Sequence, residues 1–331
     1  MSKLLSICIP SYNMEQYLSR CVDSMLVDEV LDQLEIIIVN DGSKDGTLAI
    51  ANDYKQRYPQ SLVVIDKPNG HYGSCINASL KVATGKYFRI VDADDWVDSK
   101  ALAQLVTKLN DLDVDCVCTK YATRCDDKID VQPLVAPFNI VLDLNQFKLP
   151  IECFHMHCLT YKTDLLRKID YKQTEGVCYT DLEYVYTPLS CARDFYALDL
   201  CLYQYLVGRD GQSVAIDVLV KNNDHYLKVI RSIDETAHSN LPFNENEPKV
   251  RSIVLSNLVE IASIVYISNY DYDLDKERTL RKIMKELFRS NSFVFTDMWS
   301  ENRKRMIKLW YYSGSKLSRI ILKPLKKHLK L

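Results

Sequence analysis

Four short apolar runs, each closed by a polar turn and followed by a helical pattern, recur through the first hundred residues. That alternation limits the fold more than any other feature. Leu4-Leu5-Ser6-Ile7-Cys8-Ile9 reads as a buried strand ended by Pro10. Asn13 stands where it caps a helix with Tyr17, Leu18, Cys21, Val22, Met25 and Leu26 on one face. Ile36-Ile37-Ile38-Val39 is β-branched and too short for a helix, and it runs into the turn Asn40-Asp41-Gly42-Ser43. Thr47 then caps a helix carrying Leu48, Ala51 and Tyr54. A third strand over 62–65 leads through the loop 67–73 into a helix from about Ser74 to Ala83, closed by Gly85. The fourth strand, 87–91, enters Asp92-Ala93-Asp94-Asp95 directly, and a helix of Leu102, Leu105, Val106 and Leu109 follows. Such alternation predicts an α/β fold with a mostly parallel sheet flanked by helices. Ligands of such sheets bind at the carboxyl ends of the strands, so residues 10–13, 40–43, 66–73 and 92–95 should meet at one rim.

The remaining chain is less regular. Cys116-Val117-Cys118 reads as a strand, 126–130 as a charged turn, 179–189 as a helix and 198–205 as a strand. Beyond Ile216 the pattern is helical: Ile253, Leu255, Leu258, Val259, Ile261 and Ile264 mark a long amphipathic helix, and Ile283, Met284 and Leu287 another. Residues 240–248 read as a polar linker. The division expected is 1–110, 111–215 and a helical C-terminal region, 216–331.

With 331 residues and 47% hydrophobic content the chain is long enough for a large core. A net charge of -2 gives no support to nucleic-acid binding. The charge is unevenly spread: no acid follows Glu301, and the bases from Arg303 onward leave the rest at about -12. Eleven cysteines without a C-x-x-C spacing, and no signal peptide, predict reduced thiols in the cytoplasm. No apolar run reaches the ~18 residues of a membrane span.

Three carboxylates within four positions repel one another unless a cation or hydrogen-bond donors offset the charge. Mg²⁺ or Mn²⁺, held by one or two carboxylates plus phosphate oxygens, suits that turn. A solvated helix cap would use the same residue types; the company of three other polar loops favours the metal-diphosphate reading. Asp41 suits a base or ribose, or else simply forms its turn. Gly70, in Asn69-Gly70-His71-Tyr72-Gly73, permits close backbone approach to a ligand. Neither G-x-G-x-x-G after the first strand nor G-x-x-x-x-G-K-[ST] is present, which argues against a nicotinamide enzyme and a P-loop ATPase.

Ile9-Pro10-Ser11-Tyr12-Asn13, Val39-Asn40-Asp41-Gly42-Ser43-Lys44-Asp45-Gly46-Thr47 and the run from Gly85 to Trp96 together resemble glycosyltransferase family 2. The likeness covers residues 4–110, weakens to about Val214 and is absent beyond. It implies a GT-A (Rossmann-like) fold and inverting transfer of one sugar from a nucleotide-diphosphate donor, UDP-linked by expectation. By it, Pro10, Ser11, Tyr12, Asn13, Asp41, Gly70, Asp92, Ala93 and Arg209 bind the donor. Asp92 and Asp94 are the acids of the D-x-D motif, with Asp94 the preferred metal ligand for Mn²⁺ or Mg²⁺. Asp181 in Tyr179-Thr180-Asp181-Leu182-Glu183 matches the family's base, although Thr180 replaces the usual Glu; Glu183 is the fallback, and an acid that merely stabilises a helix start is the plain alternative. The acceptor expected is a polysaccharide or lipid-linked glycan, and the absence of Q-x-x-R-W favours single-sugar addition. Rival readings are a non-catalytic nucleotide-sugar-binding protein and a sugar nucleotidyltransferase; the second lacks its early basic phosphate loop.

Two features stand outside the motifs. His155-Met156-His157 alternates, so both rings share a face if the segment is a strand. The tail from Arg303 combines bases with Ile307, Leu309, Trp310, Leu317, Ile320, Ile321, Leu322 and Leu325, the pattern of a helix on an anionic membrane surface or of one packed on the body. The location expected is cytoplasmic, peripheral at the inner face of the membrane.

Overall fold

The computed structural model describes residues 3–150, 154–209, 218, 221–268, 274–289 and 304–312. The four predicted units are present as β1 (Leu5–Ser11), α1 (Leu18–Asp23), β2 (Leu34–Asp41), α2 (Thr47–Arg57), β3 (Leu62–Lys67), α3 (His71–Val82) and β4 (Tyr87–Ile90). A two-residue strand β5 (Trp96–Val97) and α4 (Ser99–Asn110) follow the acidic turn. Every residue of β2 is buried, as expected of a parallel strand covered on both faces.

The chain continues through β6 (Cys116–Cys125), β7 (Lys128–Val131), β8 (Val141–Asp143), β9 (Leu159–Lys162), α5 (Thr163–Lys168), α6 (Asp181–Cys191) and β10 (Asp194–Leu206). The sheet runs β3-β2-β1-β4-β9-β6-β10-β5, with β7 on β6 and β8 on β10. Pairing is parallel from β3 to β4 and again between β6 and β10, whereas β9 is antiparallel to both its neighbours. The carboxyl ends of β1, β2, β3 and β4 therefore open on one edge, as the sequence predicts.

Helix starts differ from the sequence reading. Asn13 does not cap α1: it lies outside the helix with a φ of 54°, and its Oδ1 accepts from Lys44 N at 2.9 Å. Thr47 is the first residue of α2 rather than its cap; its hydroxyl donates to Asp45 and accepts from Met14 N. α3 begins at His71, three residues earlier than expected. Long-range hydrogen bonds between loops displaced each of these starts.

Gly85 is not a helix cap either, because α3 ends at Val82 with Ala83 as its C-cap. A Cβ on Gly85 would lie 2.5 Å from Ser6 N, where the chain entering β4 crosses the backbone of β1. Ser6, Thr84 and the buried Glu35 are hydrogen-bonded around this crossing. Gly85→Ala is expected to destabilise the protein by about 1–3 kcal/mol through backbone displacement, read as a lower urea midpoint with unchanged slope.

The chain divides into two compact units, 1–209 with 240–247, and 210–239 with 248–331. The predicted polar linker is in part a buried anchor of the first unit. Asn244 Nδ2 donates to the carbonyls of Leu189 and Ala192, and Asn246 Nδ2 to those of Leu144 and Phe147. The second unit contains α7 (Asn223–Ala237), most of α8 (Glu247–Ser268) and α9 (Leu274–Arg289), with residues 304–312 also helical. α7 buries Tyr226, Leu227, Val229, Ile230 and Ile233, and α8 buries Val254, Leu255, Leu258 and Val259. Ile307 and Trp310 of the basic tail are buried as well, so these two side chains are not presented to a membrane. The tail's other apolar positions from Leu317 onward lie outside the described residues. No described helix is long and apolar enough to cross a membrane. No disulfide joins any of the ten described cysteines.

Candidate functional site

Hydrogen bonds across the rim tie its loops together. Asp41, at the end of β2 and almost wholly buried, accepts at Oδ1 from Lys67 Nζ (2.6 Å) and Gly70 N (2.9 Å). Asn69 Nδ2 donates to the Asp41 carbonyl. Gly42, at a φ of 72°, takes a left-handed turn beside Asn69, where only glycine is unstrained. Gly70 has a packing reason to be glycine, since a Cβ there would meet Ser74 Oγ at 2.7 Å. Pro10 is half-buried at the end of β1, the Ser11 hydroxyl turns back to the Ile9 carbonyl, and Tyr12 stands out, 44% exposed.

The acidic turn gives its three carboxylates different surroundings. Asp92 accepts at Oδ1 from the Tyr72 hydroxyl at 2.8 Å. Asp94 pairs with Arg209 Nε at 2.5 Å, and its carbonyl accepts from Arg20. Asp95 is fully buried; Tyr203 Oη and Leu206 N donate to its two oxygens at 2.5 and 2.8 Å. Ala93 is buried between them. The turn does not cap α4, whose N-cap is Asp98, accepting from Ala101 N at 2.9 Å.

Burial and the neighbouring Asp94 push the Asp92 carboxyl up to about 7. The same two causes, with Asp92 added, raise Asp95 well above the usual carboxylate range. Burial first and the mutual repulsion of these acids second resist their ionisation, a cost that a bound cation would offset. An all-oxygen pair beside an imidazole is also a donor set that a divalent cation accepts: Asp92, Asp95 and His157 each offer a ligand atom, all within 4.8 Å of one another.

Asp181 begins α6, half-buried, and burial raises its carboxyl above the ordinary value. Its charge acts on Asp92, Tyr72 and Tyr205, so it shares the electrostatic environment of the acidic turn. Thr180, in the place of the expected Glu, is buried and donates to Gln173 Oε1. Glu183, the fallback, is turned to Thr174, accepting from its N–H at 2.8 Å and its hydroxyl at 2.6 Å. That gives it a clear role in holding the 173–174 loop.

His155 precedes a 3₁₀ turn, Met156–Cys158, and His157 lies within it, rather than both lying in a strand. Their rings are nonetheless near parallel, 8° apart with centroids separated by 6.4 Å. His157 packs at 4.3 Å from the Tyr203 ring and 4.8 Å from the Tyr205 ring. Burial lowers both imidazoles, His157 the more strongly, with His155 and Arg89 adding to the effect. Arg89 projects from β4, fully buried, and donates to Thr160 Oγ1 and the His157 carbonyl. Tyr72, Tyr203, Tyr205 and Arg89 escaped the sequence reading. Only Arg89 left a trace there, as a lone cation within an apolar strand run. Outside the turn, a cleft of about 530 Å³ is lined by Arg20, Trp96, Arg124, Leu206 and Arg209, with the Arg20 guanidinium 4.0 Å from the Trp96 ring centroid.

The fold is shared with solved structures. *Staphylococcus aureus* TarS 1–349, solved in complex with UDP-GlcNAc, superposes with a TM-score of 0.60 at 20% identity, covering 84% of this chain and 79% of that one. The fold is of the GT-A type. Residues 6–170 form a glycosyl transferase family 2 domain, by their match to that family's sequence profile. The chain is 37% identical over 134 residues to the uncharacterized glycosyltransferase EpsJ of *Bacillus subtilis*, spanning 40% of this chain and 38% of that protein. It is 29% identical over 304 residues to chondroitin synthase of *Pasteurella multocida*, spanning 91% of this chain and 29% of that protein. Both matches thus cover well under two thirds of the relative's own length.

Proposed function

We propose that this chain is a glycosyltransferase that moves a single sugar from a nucleoside-diphosphate donor, UDP-linked by expectation, to a hydroxyl of a polysaccharide or lipid-linked glycan, with inversion. The observation that carries the reading is the electrostatic coupling of Asp181 to Asp92 of the acidic turn, at the strand ends where Asp41 also lies. Pro10, Ser11, Tyr12, Asn13 and Asp41 would hold the nucleoside, with the Tyr12 ring exposed for stacking and Gly70 and Ala93 supplying backbone contacts. Arg209 offers its guanidinium to the diphosphate, a partner matched to phosphate oxygens, in exchange for its present contact with Asp94. Asp92 and Asp94 would hold Mn²⁺ or Mg²⁺. When bound, that cation supplies charge neutralisation for the leaving nucleoside diphosphate.

The chemistry of the chain's own groups then follows. Asp181 takes the proton of the acceptor hydroxyl, whose oxygen bonds to the anomeric carbon as the bond from that carbon to the diphosphate oxygen breaks. The donor bound in TarS and the polysaccharide named for the *Pasteurella* relative support these substrate classes.

The test is a thermal-shift panel of UDP- and GDP-sugars with and without Mn²⁺, followed by donor hydrolysis. A cognate donor at one hundred times its Kd stabilises by about 2.7 kcal/mol. If no nucleotide-sugar raises the Tm in either condition, the reading fails.

A further inference from the structure

We propose that His157 supplies a nitrogen ligand to the divalent cation of the acidic turn and makes that site prefer Mn²⁺ to Mg²⁺. The inference rests on the donor-site reading above but goes beyond the two aspartates it invokes. It begins from a buried atom without an evident purpose. His157 is 9% exposed, and its Nδ1 is buried with no hydrogen-bond partner. Buried polar atoms of that kind are uncommon and call for a reason.

The surroundings supply one. A ring nitrogen of His157 and one oxygen each from Asp92 and Asp95 lie within 4.8 Å of one another. Three donor atoms that close together could reach one divalent cation after small side-chain adjustments. Asp94, held by Arg209, is not in this group; Asp92 is common to it and to the D-x-D pair. The hydrogen bonds from Tyr72 to Asp92 and from Tyr203 to Asp95 do not exhaust the carboxylates, because each oxygen has two acceptor directions.

The imidazole is also held in place, as a ligand's ring needs to be. Tyr203 and Tyr205 pack against it at 4.3 and 4.8 Å. Arg89 Nη2 fixes the His157 carbonyl, and Arg89 Nη1 ties the same guanidinium to Thr160 at 2.8 Å. His155, although parallel to it, is not in the ligand group. An imidazole ligand favours transition ions over Mg²⁺, which prefers oxygen and water.

Mn²⁺ bound to the full chain with UDP is examined by pulsed electron paramagnetic resonance, in protein carrying either natural or ¹⁵N-labelled histidine. A modulation from directly bound ¹⁴N that changes with the label, persists in His155→Gln and vanishes in His157→Gln is the expected result. Mn²⁺ affinity in His157→Gln should fall at least about tenfold, while Mg²⁺ affinity changes little, so the Mn²⁺/Mg²⁺ ratio collapses. Wild-type protein that binds Mn²⁺ without histidine coupling overturns the proposal and leaves the donor-site reading intact. So does a His157→Gln variant with unchanged affinity and ratio. Absence of any Mn²⁺ binding by the wild type, with UDP binding retained, defeats the metal part of the donor-site reading and the His157 ligand with it.

Discussion

Asp181→Asn is expected to lower sugar transfer by about 10²–10⁴-fold, the usual contribution of a general base, while donor binding is retained. The substitution keeps the shape of the side chain at the start of α6 and removes only its capacity to take a proton. Asp181 is half-buried at the start of α6, and burial raises its carboxyl. A base works when ionised, so wild-type transfer should fall as pH drops through a pKa above the ordinary aspartate value, and that acidic limb should disappear in the variant's residual activity. Glu183→Gln serves as the contrast. Its carboxylate accepts two hydrogen bonds from Thr174, so its loss should appear as lower stability. Full transfer by Asp181→Asn, measured with saturating donor, would remove Asp181 from the mechanism.

The second large effect concerns Asp92. Asp92→Asn should abolish Mn²⁺-dependent donor binding and, in the metal-free protein, raise stability at neutral pH. Folding lifts the Asp92 carboxyl to about 7, from an ordinary value of 3.8. Between those values the folded state binds more protons than the unfolded state, so stability declines as pH rises through that window. Asp95 is shifted in the same direction and leaves part of the slope in the variant. Melting in EDTA from pH 5 to 8 should therefore show a falling Tm for wild type and a flatter profile for Asp92→Asn. With Mn²⁺ and UDP the wild-type trend should reverse, because the ligand carboxylates must lose their protons to bind. A wild-type melting curve in EDTA that rises across this range would contradict the assigned charge balance.

Much of the frame was legible in the residues. The runs at β1, β2 and β4 are β-branched or aromatic, apolar and short, and each ends at a turn residue. Such patterns act over a few positions, so they survive without knowledge of the rest of the chain. The acidic turn was legible for the same reason, since three carboxylates beside a strand end are a local anomaly. Helix starts were less so: α1, α2 and α3 begin where bonds such as Asn13 with Lys44, Thr47 with Met14 and Asp41 with Gly70 place them. Those partners are about thirty residues apart, beyond the reach of any periodicity.

Residue order alone thus established a βα frame with four polar loops on one edge, and the kind of chemistry that edge suits. The division of labour within the acidic turn came only with the folded chain. Asp95 accepts from Tyr203, Asp94 pairs with Arg209 and Asp92 accepts from Tyr72. Tyr203 and Arg209 stand more than a hundred residues from the turn. Three aspartates within four positions are chemically alike until burial and distant donors distinguish them, and a sheet that brings β10 beside β5 supplies that distinction.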